Sequence, residues 1–290
     1  MQDTQFKTVL IMGNGFDLNL GLKTSYSDFV KSTFFDSLLV SGNKLAEYLN
    51  AQKDLNNWID IENELKEYSK TNPITEEFFF EFEELKKSLV SYLSDLDFEN
   101  IKKNSFAYRL IEEISKNSVL IIDYNYTPTL MNILNNMQDY FKKINKEIRH
   151  VKLHGSINME NIIFGVEDSV RLPKGHIFLK KSVNENFDGT DYGQQMEGCE
   201  NFIVFGHSLG ETDHSYFKDF FMKATTHSYR KWHNFLFFHY GKQSYLDLFS
   251  QIDSLTNNRI SVLKQLNNVV TTDVKEMDEK FPNIRIDLSR

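Results

Sequence analysis

The sequence predicts an α/β protein, a doubly wound and mostly parallel sheet with a large helical insertion after its first strand. Three observations predict it. First, five short apolar runs each break off into small or polar residues. Residues 8–12 lead into Gly13-Asn14-Gly15-Phe16-Asp17, 119–122 into Asp123-Tyr124-Asn125-Tyr126-Thr127, and 151–153 into His154-Gly155-Ser156. Residues 202–205 lead into Gly206-His207-Ser208, and 235–238 into His239-Tyr240-Gly241. Second, from residue 119 onward such runs alternate with helical periodicity, the rhythm of strand–helix units around a parallel sheet. Third, residues 40–116 show apolar spacings of three and four and no strand. Ligands in open parallel sheets sit beyond the carboxyl ends of the strands, so all five clusters are expected around one pocket.

Taken in order, strand one covers about residues 7–12, where a β-branched run has a Gly-rich exit. Thr24 or Ser25 is placed to cap a helix through Phe35. Trp58, Ile61, Leu65 and Tyr68 then mark one helix. Phe78, Phe82, Leu85, Leu89, Tyr92 and Leu96 mark a second, with Pro73 and Thr75 at its start, and Ala107, Leu110, Ile111 and Ile114 mark a third. Strand two is followed by a helix from Pro128 to Phe141 and by strand three. Residues 161–166 and 176–181 read as a short hairpin, and 184–193 as a polar loop. Strand four leads into a helix near Thr212 or Asp213, strand five covers about 233–239, and a helical C-terminal part follows. The division is residues 1–39 and 117–290 as the core, with 40–116 as the helical insertion.

With 290 residues the chain can bury a large core. Its 25 Phe point to aromatic packing inside it. A net charge of −8 disfavours non-specific nucleic-acid binding, which needs a basic surface to displace phosphate counterions. Cys199 is the single cysteine, which excludes a disulfide framework or thiolate metal cluster, and the 8 histidines show no H-E-x-x-H spacing, so no metal is expected. The N-terminus carries no basic-then-apolar leader, and no run approaches the ~18 apolar residues of a membrane span. Cytoplasmic residence is the expectation.

The chemistry lies at the strand ends. A Gly13-Asn14-Gly15 turn into a helix presents backbone N–H groups at a positive dipole end, a natural seat for phosphate; the alternative is a structural corner. Leu18 stands where G-x-G-x-x-G needs its third glycine, and no acidic residue clearly ends a second strand about 20 residues later, which argues against a hydride-transfer dinucleotide site. His154 beside Gly155 suits a general base, and Asn125 a group that orients water or a ribose hydroxyl. Gly206-His207-Ser208-Leu209-Gly210 fits G-x-S-x-G, the nucleophile elbow, but the order Ser, acid, His is poorly met. Glu62, beside the buried stripe of Trp58 and Ile61, is a weaker candidate to face the pocket.

Leu10-Ile11-Met12-Gly13-Asn14-Gly15-Phe16-Asp17, with the Gly21 to Phe29 stretch, resembles the opening motif of the bacterial abortive-infection AbiH family. Residues 58–62, Asn125-Tyr126-Thr127, His154-Gly155-Ser156, and Gly206-His207-Ser208-Leu209 with Asp213 resemble its later blocks. The resemblance implies a phage-defence protein that shuts down an infected cell. The same blocks are more distantly similar to Rossmann-like, sirtuin-like nucleotide-binding domains. That similarity implies NAD as ligand or substrate. Gly13, Asn14, Gly15 and Phe16 would hold phosphates, Asn125 with Tyr126 would lie near the ribose, and His154 with Gly155 would supply the base. Gly206, His207 and Ser208 would line the cofactor. Asp17 and Asp213 would stabilise a developing cation. One cysteine cannot build the four-cysteine zinc module of sirtuin deacylases, so NAD destruction is the expected activity. The rivals are a non-catalytic nucleotide sensor signalling to a partner or a second copy, and a serine hydrolase using Ser208. Expected partners are a small-molecule nucleotide, a phage-derived trigger and a homo-oligomer, with no membrane and no nucleic acid.

Overall fold

The computed structural model describes residues 6–53, 61–72, 76–137, 146–229 and 231–280. Trp58, Pro73, Thr75 and Phe141 lie outside them. Six strands form one sheet: β1 (Thr8–Met12), β2 (Val119–Asp123), β3 (Ile148–Lys152), β4 (Asn201–Phe205), β5 (Asn234–His239) and β6 (Asn268–Asp273). All pairings are parallel, in the order β3-β2-β1-β4-β5-β6. Because the order reverses direction between β1 and β4, a crevice is expected beyond the carboxyl ends of those two strands. Every residue of β1 and β2 is buried, as strands covered on both faces require.

Between β1 and β2 the chain forms α1 (Gly15–Asn19), α2 (Tyr26–Phe29), α3 (Thr33–Val40), α4 (Lys44–Lys53), α5 (Ile61–Thr71), α6 (Glu76–Ser94) and α7 (Phe106–Ile114). After β2 come α8 (Thr129–Asn136), α9 (Gly193–Gly198), α10 (His214–Ala224), α11 (Gly241–Leu255), α12 (Ile260–Leu266) and α13 (Val274–Lys280). Alternation along the strands divides the sheet's side chains between two cores. Val9, Ile11, Phe202, Val204, Phe235 and Phe237 pack with Phe217, Phe220 and Phe221 of α10 and with Leu248 and Ile252 of α11. Leu10, Met12, Ile121, Ile203 and Phe205 pack with Phe106, Leu110 and Ile111 of α7, Ile133 of α8 and Val274 of α13. A third core joins α2–α6 to Ile157, Ile162, Phe164, Val166 and Leu179 from the segment after β3. The α6 stripe Phe78, Phe82, Leu85, Leu89 and Tyr92 is buried as its spacing requires.

Four elements differ from the sequence expectation. The helix starting at Ser25 is two helices, because each of two serines caps its own start. Ser25 and Asp28 make a reciprocal capping box, and Ser32 accepts the Phe35 N–H while donating to Phe29 O. α4 was not anticipated; its buried Leu45, Ala46 and Leu49 give a weak stripe in a mostly polar segment. The expected hairpin is absent. Residues Lys174–Leu179 form a 3-10 helix, and Val166 meets Lys180 in one isolated parallel bridge. Within the expected helical C-terminal part, Asn268–Asp273 is an edge strand, explained by its Val269-Val270-Thr271-Thr272 run. No helix among the described residues is long and apolar enough to cross a membrane.

Candidate functional site

The turns after β1 and β4 touch. Gly13 N–H donates to Phe205 O at 3.1 Å, Gly15 N–H to Gly206 O at 2.9 Å, and Phe16 N–H to Gly13 O at 2.9 Å. A Cβ on Gly15 would lie 2.6 Å from Gly206 Cα, and one on Gly206 2.3 Å from Phe16 N. These glycines therefore serve the close approach of two backbones. Of the Gly13–Phe16 turn expected to cradle pyrophosphate, the N–H groups of Gly13, Gly15 and Phe16 already serve carbonyls. Phe16 was expected beside the phosphates. It is fully buried, with its ring edge-on to Phe205 at 6.1 Å, and lines no open surface. Asn14 stays half-buried; its Oδ1 accepts from Thr24 Oγ1, so its amide nitrogen remains a donor.

β2 ends on Asp123, level with Met12 of β1, where dinucleotide-binding sheets place an acid for a ribose. Here that carboxylate is occupied. Oδ1 accepts the Asn125 N–H at 2.9 Å, and Oδ2 lies 2.9 Å from both His150 Nε2 and Lys152 Nζ. Burial favours the neutral acid, but Lys152 and His150 outweigh it and hold Asp123 below the ordinary carboxylate range. Asn125 Nδ2 donates to Gly13 O at 3.2 Å, joining the β2 loop to the β1 turn. Asp17 is fully buried. Its Oδ2 accepts from Thr127 Oγ1, its Oδ1 has no hydrogen-bond partner, and burial pushes its carboxyl up to about 6.

The loops after β3 and β4 meet at Asp213, just before α10. His154 Nε2 lies 3.3 Å from Asp213 Oδ1, and His207 Nε2 lies 3.3 Å from Oδ2. Lys181 Nζ lies 3.2 Å from Asp213 Oδ1 and 3.0 Å from Glu62 Oε2 on α5. The Tyr124 ring sits against both imidazoles, at 5.0 Å from His154 and 4.2 Å from His207. Leu209 N–H donates to His207 Nδ1 at 2.9 Å, which puts the His207 proton on Nε2, facing Asp213. The matching His154 contact is not aligned as a hydrogen bond, so Nε2 there stays without one.

The sheet thus gathers Asn14, Asn125, Tyr126, His154, Gly155, His207 and Asp213 at one edge. The turn after β5 leaves the same edge, level with the end of β4, but His239 Nδ1 pairs with Gly241 O and its ring meets Tyr245. Tyr126 donates its hydroxyl to Ile163 O at 3.2 Å, and Gly155, at φ +72°, lets Asn161 O approach where a Cβ would stand 2.1 Å away. Ser208 is exposed, and among the described residues no histidine hydrogen-bonds it. The left-handed residues here are Gly206 and Leu209 rather than Ser208, and α10 begins only at His214, so the local shape is not a nucleophile elbow.

The family model for bacteriophage abortive infection AbiH proteins matches residues 9–235. This chain belongs to the AbiH family. The match runs from β1 into β5 and so contains every residue gathered at the edge, while β6 and α11–α13 lie beyond it. Neither the curated proteins nor the solved structures supply a match. A role in phage abortive infection follows from the membership.

The AbiH site is an electrostatic cluster with little solvent: His154 is 5% exposed and Asp213 7%. Burial, and then the Lys181 charge, push the His154 imidazole down to about 4, so it is neutral at physiological pH. Burial would raise the Asp213 carboxyl; Lys181 and His154 overcome that and keep it well below its usual range. Burial likewise disfavours the Lys181 ammonium, yet Asp213 and Glu62 hold it charged and above its ordinary value. Such a set can orient a neutral imidazole and accept one proton. Among the described residues no group of three or more His, Cys, Asp or Glu side chains is arranged to hold a metal ion. Sequence reasoning missed Lys181. Its signal was weak: it is the second of two adjacent lysines after Ile177-Phe178-Leu179, and such a pair reads as exposed charge unless its partners are known.

Proposed function

We propose that this AbiH protein binds NAD or a closely related nucleotide at the carboxyl edge of β1–β4 and cleaves the nicotinamide–ribose bond. The observation that carries the reading is His154 set beside Asp213 where the sheet reverses direction, with Asn125 on the adjacent loop. The substrate class is inferred from the resemblance of the Asn125 and His154 blocks, as read from the sequence, to sirtuin-like domains. Nε2 of His154 lies 3.3 Å from Asp213, and once that contact closes to a hydrogen bond His154 offers Nδ1 as the basic nitrogen. Water adds to the ribose carbon as the bond to nicotinamide breaks, and His154 takes the water's proton, leaving ADP-ribose and neutral nicotinamide. Asp213 stabilises the imidazolium so formed, and Asn125 orients the ribose. Anion contacts fall to Asn14 and Ser208, whose polar groups stand at the rim, rather than to the glycine N–H groups.

The test is nicotinamide release from NAD by purified protein, alone and with lysate from infected cells. Turnover is expected, falling at least about 100-fold in His154→Ala and Asn125→Ala. Neither binding nor release under any of these conditions overturns the proposal. The near-complete burial of His154 and Asp213 favours one second reading, a nucleotide sensor, for which calorimetry shows binding without product.

A further inference from the structure

Two groups in the cluster, Lys181 and Glu62, have no step in the proposed reaction. Lys181 is 4% exposed and Glu62 7%, and they meet at 3.0 Å. An ion pair removed from water costs more than it returns unless further partners complete it, so its presence calls for a reason. Its position supplies one. Glu62 is the second residue of α5, in the helical layer; Lys181 follows the 3-10 helix that packs on that layer; and Asp213 leads into α10, on the sheet. The chain Glu62–Lys181–Asp213–His154 therefore runs unbroken from one core to the other.

We propose that Lys181 and Glu62 are positioning residues through which the helical layer sets the charge balance of the His154–Asp213 pair. This deepens the NAD reading by naming a control on the same site. Lys181 draws on one Asp213 oxygen that also faces His154, so the ammonium and the imidazole compete for one carboxylate oxygen. Glu62 takes part of the Lys181 charge and leaves more of Asp213 to His154. Withdrawal of α5 would return Lys181 wholly to Asp213 and make His154 a weaker base; removal of Lys181 would do the reverse. The other titratable groups around this chain are His207 after β4, Tyr124 and Tyr126 after β2, and Tyr216 on α10, with Glu167 beyond them.

The experiment is an NMR titration of the His154 imidazole, which needs no substrate, in the wild type, Lys181→Met and the double variant Glu62→Gln/Lys181→Met. The double variant removes both buried charges and guards against misfolding of the single one. His154 is expected to titrate upward by at least roughly one pH unit in the double variant, and further in Lys181→Met. Glu62→Gln alone is expected to leave His154 titrating no higher than in the wild type. Unchanged His154 titration in the folded double variant overturns the proposal. Failure of the NAD reading shows separately, as absent nicotinamide release with the titration shifts intact.

Discussion

Asp17 shows how burial writes a pH dependence into one residue. Burial, reinforced by Asp123, outweighs the Thr127 and Thr129 hydrogen bonds and raises the carboxyl from 3.8 to about 6. The folded state therefore holds this proton more tightly than the unfolded chain. Stability from the protonated form is full below about pH 4 and is lost as pH rises through about 6, a change of about 3 kcal/mol. Asp17→Asn removes that loss, so its stability relative to the wild type is expected to rise by up to about 3 kcal/mol between pH 4 and pH 7. Denaturant melts of both proteins at the two pH values measure the difference; an offset independent of pH would refute it. Asp17 also marks what single residues reveal in advance. Its place in the opening motif was legible, and so were the strand ends that carry Asn125 and His154, because strand ends are readable from apolar runs. The use of Gly13 and Gly15 was not legible, since the same glycine spacing serves an anion or a neighbouring backbone, and only the position of Gly206 decides which.

At the scale of elements, α13 packs Val274 into the sheet's second face and ties itself to α7 through one further side chain. Asp278 Oδ1 accepts the Phe106 N–H at the first turn of α7 at 2.8 Å, and its Oδ2 accepts from Asn19 Nδ2 at 2.6 Å. Asn19 Oδ1 in turn accepts the Ala107 N–H at 2.8 Å. A carboxylate from one helix thus caps another far away in the chain, with Arg109 at 3.4 Å adding charge. Asp278→Ala is expected to destabilise the fold by about 1–2 kcal/mol, read by urea denaturation, with Asp278→Asn milder. A change under a few tenths of a kcal/mol would show that water replaces the cap. α13 falls within the helical C-terminal part that the sequence led one to expect, but β6 did not stand out. The burial pattern of β6 alternates little, because an edge strand has one solvated side, and its polar flanks resemble those of a helical tail. Strands β1, β2 and β4 were plain, because burial on both faces leaves continuous apolar runs.

The whole molecule holds its helical layer and its sheet as separate cores, joined through residues 154–181. The helical core includes Ile157, Ile162, Phe164, Val166 and Leu179 of that segment, which also carries His154 and Lys181. A layer with its own buried cluster can open while the parallel sheet stays paired, since parting β1 from β2 and β4 exposes residues that are 0–2% accessible along most of their length. In native-state hydrogen exchange, the amides of α3, α4 and α6 are therefore expected to open at lower free energy than those of β1, β2 and β4. A ligand held at the strand ends stabilises only conformations in which the site is assembled. On the proposed function, NAD at about 100 times its dissociation constant should then raise the opening free energy of the helical layer by about 2.7 kcal/mol, as far as that layer is needed for binding. Should α6 exchange only with β1, at the free energy of global unfolding, the layer moves with the sheet as one unit, and control of His154 by displacement of α5 loses its physical basis.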